Sequence, residues 1–161
     1  MKLNKKDLII LIITISIIVI GYFSVKCYLN YRYNYYIISG DSMNPNIKSG
    51  AELRVDKLKK IKRYDIVILE VGNSILVKRI IGLPSDKLNF TSDDQLFING
   101  DKANYPFEII GTTRNIDEEI YLDYQFYYVL GDNRDNAYDS RSFGKVSKSQ
   151  IIGVVVDVNN P

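Results

Sequence analysis

Ser42 and Lys78 are the residues in this 161-residue chain whose types and surroundings could support covalent catalysis, and they matter because the chain contains no histidine. Without histidine there can be no Ser-His-Asp triad, no Cys-His dyad and no His-ligated zinc site. A single cysteine, Cys27, also removes a disulfide framework and thiolate-cluster metal sites. Chemistry must then come from Ser, Thr, Lys, Tyr, Asp or Glu, and the side chain left to act as a base toward a serine is lysine. A lysine does this near neutral pH only when burial disfavours its charged form. The run Ser74–Gly82 reads SILVKRIIG. Strand alternation puts Leu76, Lys78 and Ile80 on one face and Val77, Arg79 and Ile81 on the other. Both faces are largely apolar, so the strand is expected to be buried with Lys78 between two aliphatic neighbours. The competing reading is a strand lysine that carries its ammonium out to water.

Ser42 lies in Ile38-Ser39-Gly40-Asp41-Ser42-Met43-Asn44-Pro45. Gly40 permits close backbone approach and Pro45 fixes the chain soon after the serine. The same composition also describes an ordinary turn, and no spacing rule ties Ser42 to Lys78. A third segment, Gly131–Arg141 (GDNRDNAYDSR), follows an apolar strand with a dense run of polar residues and reads as a hydrogen-bonded loop beside a site. A calcium loop would need carboxylates at alternate positions and a bidentate glutamate, which are missing. Asp132, Asp135 and Asp139 leave a paired-carboxylate glycosidase site open in principle.

These segments must be positioned by a fold, and the soluble part reads as β. Ala51–Asp56, Asp65–Val71, Ser74–Gly82, Gln95–Ile98, Glu119–Tyr124, Gln125–Leu130 and Ile151–Val158 are apolar, β-branched or aromatic runs. Gly72-Asn73 sits at hairpin spacing and Asn99-Gly100 is a strong type I′ signal. Ser147–Gln150 could form one helical turn. The 51 residues from Ile80 to Leu130 leave room for one hairpin excursion around Asn99-Gly100, not a large insertion.

Leu8–Val25 (LIILIITISIIVIGYFSV) is eighteen residues without a charge. As a helix it would span roughly 27 Å, close to the ~30 Å hydrocarbon core. It leads into Val25-Lys26-Cys27-Tyr28, which offers no small-x-small cleavage site, so an uncleaved anchor is expected. Lys2, Lys5 and Lys6 precede it, while Lys26 and Arg32 follow, which favours a cytoplasmic N-terminus and an external domain. Tyr22, Tyr28, Tyr31, Tyr33, Tyr35 and Tyr36 cluster at the outer end, as an interfacial belt or as compositional bias. Residues 1–29 carry a net +3, leaving 17 basic and 18 acidic side chains beyond. A near-neutral domain lacks the footprint of a nucleic-acid binder. Its one basic run, Lys57–Arg63 (KLKKIKR), reads as a solvated loop or as a contact for anionic headgroups.

Four boxes occur in order: Ser39–Pro45, Arg63-Tyr64-Asp65-Ile66-Val67, Val77–Asp86 (VKRIIGLPSD) and Gly131–Arg141. Together with the N-terminal apolar segment, they resemble the bacterial type I signal peptidases (leader peptidases). The similarity runs from about Ile38 to Val156. The Gly-Asp-Ser-Met element by itself is shared with self-cleaving Ser/Lys repressors, whereas the lysine box and the Gly131 box are the specific ones. The resemblance implies a mostly β fold, as a single compact signal-peptidase-like β domain on one N-terminal transmembrane helix. The chain would divide into a cytoplasmic 1–7, an anchor 8–25, a juxtamembrane 26–35 and an extracytoplasmic catalytic domain 36–161. It also implies a Ser/Lys dyad of Ser42 and Lys78 acting through an acyl-enzyme on preprotein signal peptides. Met43 would help line the substrate site. Arg79, Gly131, Asp132, Asp139 and Arg141 would brace it. No cofactor, metal or nucleic acid is implied, and the expected partners are preproteins and the cytoplasmic membrane's bilayer. Two positions depart from the family pattern. Gly40 replaces a serine that in some relatives adds an oxyanion donor, and Ala137 replaces one whose hydroxyl orients the lysine. The expectation is that backbone groups or water orient Lys78, or that the enzyme is a slower one.

Overall fold

The computed structural model describes residues 4–113 and 118–161. The chain forms two compact units, one ending at Asn34 and one spanning Tyr35–Pro161. The first is a helix, α1 (Lys5–Arg32). The Asn4 side chain caps it by accepting from the Lys6 and Asp7 N–H groups at 2.9 and 3.0 Å. Asp7 in the first turn and Arg32 in the last complement the helix dipole. Thr14, inside the apolar run, donates its hydroxyl to the Ile10 carbonyl at 2.9 Å, so that polar group is satisfied within the helix. The helix does not stop where the apolar run ends. No glycine or proline follows Gly21 before Arg32, and Arg32 bonds the Tyr28 hydroxyl one turn back at 3.2 Å. The expected juxtamembrane stretch 26–35 is thus helix through Arg32 and strand from Tyr33 onward.

The second unit is built on two sheets of mostly antiparallel strands. The larger contains β1 (Tyr33–Ile37), β2 (Glu52–Asp56), β3 (Ile66–Val71), β4 (Ser74–Gly82), β9 (Phe126–Leu130), β10 (Val146–Ser147) and β11 (Ile151–Asn159), in the order β1-β2-β11-β3-β4-β9-β10. The smaller contains β5 (Lys87–Phe90), β6 (Leu96–Ile98), β7 (Asp101–Lys102) and β8 (Glu118–Tyr121), in the order β7-β6-β5-β8. The Ile80–Leu130 interval therefore holds a second sheet with its own apolar cluster, including Leu88, Phe90 and Leu122, and not one hairpin alone. At its tip Asn99 and Gly100 both have positive φ, 54° and 94°, as a type I′ turn requires.

Two faces of the larger sheet are covered, which explains why β4 is apolar on both sides. Val67, Leu69, Ile80, Val129 and Val154 fill one cluster, while Val55, Ile68, Val77 and Val155 fill another. The pairing of β4 is what matters for the site. Lys78 lies opposite Val67 on β3, and Arg79 lies opposite Leu130 on β9, one residue before the Gly131 loop. A single turn of helix, α2 (Ser140–Phe143), closes that loop.

Candidate active site

The segment from Ser42 to Ile47 packs its apolar side chains inward. Met43 and Ile47 are buried with Ala51 and Leu53 in one cluster, which fixes the loop and leaves Ser42 half-buried beside it. Met43 is 1% exposed, so its side chain is part of the core beneath the serine rather than an open wall. The loop is tied to the Gly131 segment by two long-range bonds. The Asn133 N–H donates to the Ser42 carbonyl at 3.1 Å. Asn46 Nδ2 donates to Asp132 Oδ2 at 2.9 Å and to the Glu108 carbonyl at 2.8 Å.

These ties bring Ser42 and Lys78 together. Lys78 Nζ lies 2.8 Å from Ser42 Oγ and donates to its neighbour's carbonyl, Val77 O, at 2.7 Å. Leu76 and Ile80, the aliphatic residues flanking Lys78 along β4, both pack in one apolar cluster, and the lysine itself is 2% exposed. Burial pushes the Lys78 ammonium down from 10.5 to about 8, against the opposing attraction of the Asp139 and Asp132 carboxylates. The Val77 carbonyl supplies the orienting contact that Ala137 cannot make. Among the described residues the Ser42 backbone N–H has no hydrogen-bond partner, and Gly40, two residues earlier, has φ +106°, a region that favours glycine.

The charged residues form a buried brace. Arg79 grips Asp132 in two places, Nε to Oδ1 at 2.8 Å and Nη2 to Oδ2 at 2.5 Å, with the two side chains 8% and 1% exposed. Its guanidinium also bonds the Tyr64 carbonyl at 2.9 Å and lies 3.8 Å from the centre of the Phe107 ring. Asp139 is fully buried. It accepts from Arg141 Nε and Nη2, each at 2.8 Å, from the Arg141 N–H at 3.1 Å and from the Gly131 N–H at 3.0 Å. Gly131 has no room for a side chain, because a Cβ there would collide with Ala137 Cβ and the Ser42 carbonyl. Asp132 and Asp139 are each locked to an arginine. That leaves neither free to act as an acid or base, and the paired-carboxylate reading finds no support here.

Sequence reasoning missed Asn46, Phe107, Arg134 and the Val77 carbonyl. Arg134 bonds the Gly131 carbonyl at 3.0 Å and Thr113 Oγ1 at 2.7 Å, and so helps hold the loop. Removing one partner of the buried pair isolates a charge. Arg79→Ala is therefore expected to lower unfolding free energy by about 3–5 kcal/mol. Asn46→Ala, which removes one hydrogen bond to the same carboxylate, should cost about 1–3 kcal/mol. Urea unfolding of the full chain in micelles checks the order, and an equal loss in both variants would contradict it.

The profile of the family described as signal peptidase, peptidase S26, matches residues 6–158. Signal peptidase I U of Bacillus subtilis (strain 168) is 36% identical over 166 residues, covering 94% of this chain and 88% of that protein. Signal peptidase I V of the same strain is 34% identical over 140 residues, 76% of this chain and 83% of the relative. Signal peptidase IB of Staphylococcus aureus (strain N315) is 30% identical over 173 residues, covering 94% and 88%. The crystal structure of a signal peptidase I from Enterococcus faecalis V583 superposes with a TM-score of 0.52 at 28% identity, over 61% of this chain and 98% of the other. The fold, the ordered boxes and these similarities lead to one conclusion: the chain belongs to the signal peptidase family of serine endopeptidases, peptidase S26.

Proposed function

We propose that this protein is a membrane-anchored signal peptidase that cuts N-terminal signal peptides from exported preproteins, with Ser42 as nucleophile and Lys78 as its base. The observation that carries the reading is the 2.8 Å contact between a buried lysine and a half-buried serine in a chain without histidine. In this scheme neutral Lys78 Nζ takes the proton from Ser42 Oγ as the oxygen attacks the scissile carbonyl. The Ser42 N–H donates to the developing oxyanion, a kind of contact whose loss typically costs ~10²–10³ in rate. Lys78 then passes its proton to the leaving amine, which carries away the mature protein. Water, deprotonated by Lys78, releases the signal peptide from the acyl-enzyme. Arg79, Asp132, Asp139, Arg141 and Gly131 act by holding the two segments in register. Met43 is the candidate contact for the small side chain before the cut.

The helix Lys5–Arg32 is long and apolar enough to cross a bilayer. Its lysine-rich start supports a cytoplasmic N-terminus, with residues 8–25 in the hydrocarbon and the β domain outside, where exported chains present their cleavage points.

Two outcomes are expected. Full-length protein in liposomes should cut a preprotein at an Ala-x-Ala site, and Ser42→Ala and Lys78→Ala should each lose about 10³-fold or more. Cutting retained by either folded variant would sink the dyad. In a pH series, kcat/KM should climb about tenfold per unit on the acid side, because Lys78 must be neutral to accept a proton, and level off above about 8. A plateau already reached in mildly acidic buffer would exclude Lys78 as the base.

A further inference from the structure

We propose that Lys57–Lys62, together with Lys148, forms a docking surface for anionic phospholipid headgroups, so that the β domain rests on the bilayer through this face. The proposal rests on the anchor reading above and concerns a surface that contains neither Ser42 nor Lys78 nor any of the residues that brace them.

Charge is the first observation. Lys57, Lys59, Lys60 and Lys62 fall within six residues, and no acidic residue lies between Asp56 and Asp65. Lys148, far along the chain, joins Lys57, Lys59 and Lys60 around one cleft of about 430 Å³. Lys60, Lys62 and Lys148 are exposed. Two carboxylates border the run. Asp65 bonds Lys59 Nζ at 3.2 Å and the Lys62 N–H at 2.8 Å, offsetting one positive charge. Asp56 is buried and accepts from the Leu58 N–H at 2.9 Å. The surface stays cationic after both are counted.

The second observation is apolar. Leu58, between two of the lysines, is 51% exposed, and Ile61 lines the same cleft. Lysines interleaved with an exposed aliphatic side chain suit the boundary between headgroups and acyl chains, where ammonium groups meet phosphates and the aliphatic group goes deeper. A soluble polyanion would use the charge but not the leucine.

The third is the tether. β1 is hydrogen-bonded to β2, and the bonds Ile38 N–H to Ala51 O and Gly50 N–H to Ile38 O, at 2.9 and 2.8 Å, make the pair antiparallel. Counting back from Ile38 opposite Ala51 puts Tyr35 opposite Arg54, three residues before Lys57. Tyr35 is itself three residues beyond Arg32, the last residue of α1. Three residues reach at most about 11 Å. The basic run thus begins, at Lys57, just beyond the end of β2 that pairs with the start of β1. Each lysine brought to an anionic surface adds roughly fivefold to partitioning, and salt screens the effect.

The test uses the full chain with Cys27→Ser and Leu58→Cys, labelled at the new thiol with an environment-sensitive dye. It is reconstituted in phosphatidylcholine vesicles with or without phosphatidylglycerol. Flotation after an alkaline carbonate wash reads the anchor alone, and failure to float overturns that reading and the docking surface with it. In floating protein, a headgroup-level spin-labelled lipid should quench the dye several-fold more in the anionic vesicles. High salt should return quenching to the phosphatidylcholine level, as should the combined exposed-lysine variant Lys60→Gln/Lys62→Gln/Lys148→Gln. Equal quenching in both compositions would overturn the docking surface while leaving the anchor standing. A dye response to soluble glycerol phosphate in phosphatidylcholine vesicles, with none to phosphatidylglycerol, would make the cleft a free-phosphate site and overturn the lipid assignment.

Discussion

Desolvation of the Lys78 ammonium is the constraint around which this fold is arranged. A lysine in water keeps its proton at neutral pH and cannot serve as a base. Here it sits in an interior strand of the larger sheet, with β3 on one side, β9 on the other and apolar clusters on both faces. Among the described residues its ammonium finds only a serine hydroxyl and a backbone carbonyl as hydrogen-bond partners. Those neutral groups orient the nitrogen without giving its positive charge a counterion.

The carboxylates nearby show how this balance is kept. Asp139 and Asp132 both pull the Lys78 pKa upward, yet burial outweighs them. Each already serves an arginine: Asp132 is held in the fork of Arg79, and Asp139 in that of Arg141. The acids therefore spend their hydrogen-bonding capacity on bracing rather than on holding the lysine in its charged form. The same brace fixes Ser42. Arg79 follows Lys78 on β4, its partner Asp132 bonds Asn46, and Asn46 belongs to the loop that carries Ser42. Lys78 and Ser42 are thus registered through one chain of buried polar contacts, and Gly131 allows the segments to approach closely enough to close it.

Much of this was legible in the sequence, because local patterns carry local structure. Ser74–Gly82 is strand over the whole expected span, and β2, β3, β9 and β11 fall on their β-branched runs. Asn99-Gly100 turns as its composition demands. The short strands β5, β7 and β10 were not legible. Lys87–Phe90 alternates over only four residues, and β7 and β10 are two residues each, too short for any periodicity. The extent of the second sheet escaped for the same reason. Within the site, residue types suggested Ser42 and Lys78, but bringing them together took the family's ordered boxes and then the fold. Asn46 meets Asp132 across 86 positions, which no local spacing rule encodes. The Val77 carbonyl was invisible in principle, since every residue carries one. Ala137 pointed to a missing hydroxyl without saying what replaces it.

If burial poises the lysine, its own titration is the most direct evidence. Lysine carbon-13 NMR of the full chain in micelles, with the Lys78 signal assigned by its loss in Lys78→Arg, measures that pKa without reference to turnover. The account expects a midpoint of about 8. A midpoint near the ordinary lysine value of about 10.4 would leave the serine without a base at neutral pH and contradict the account at its centre.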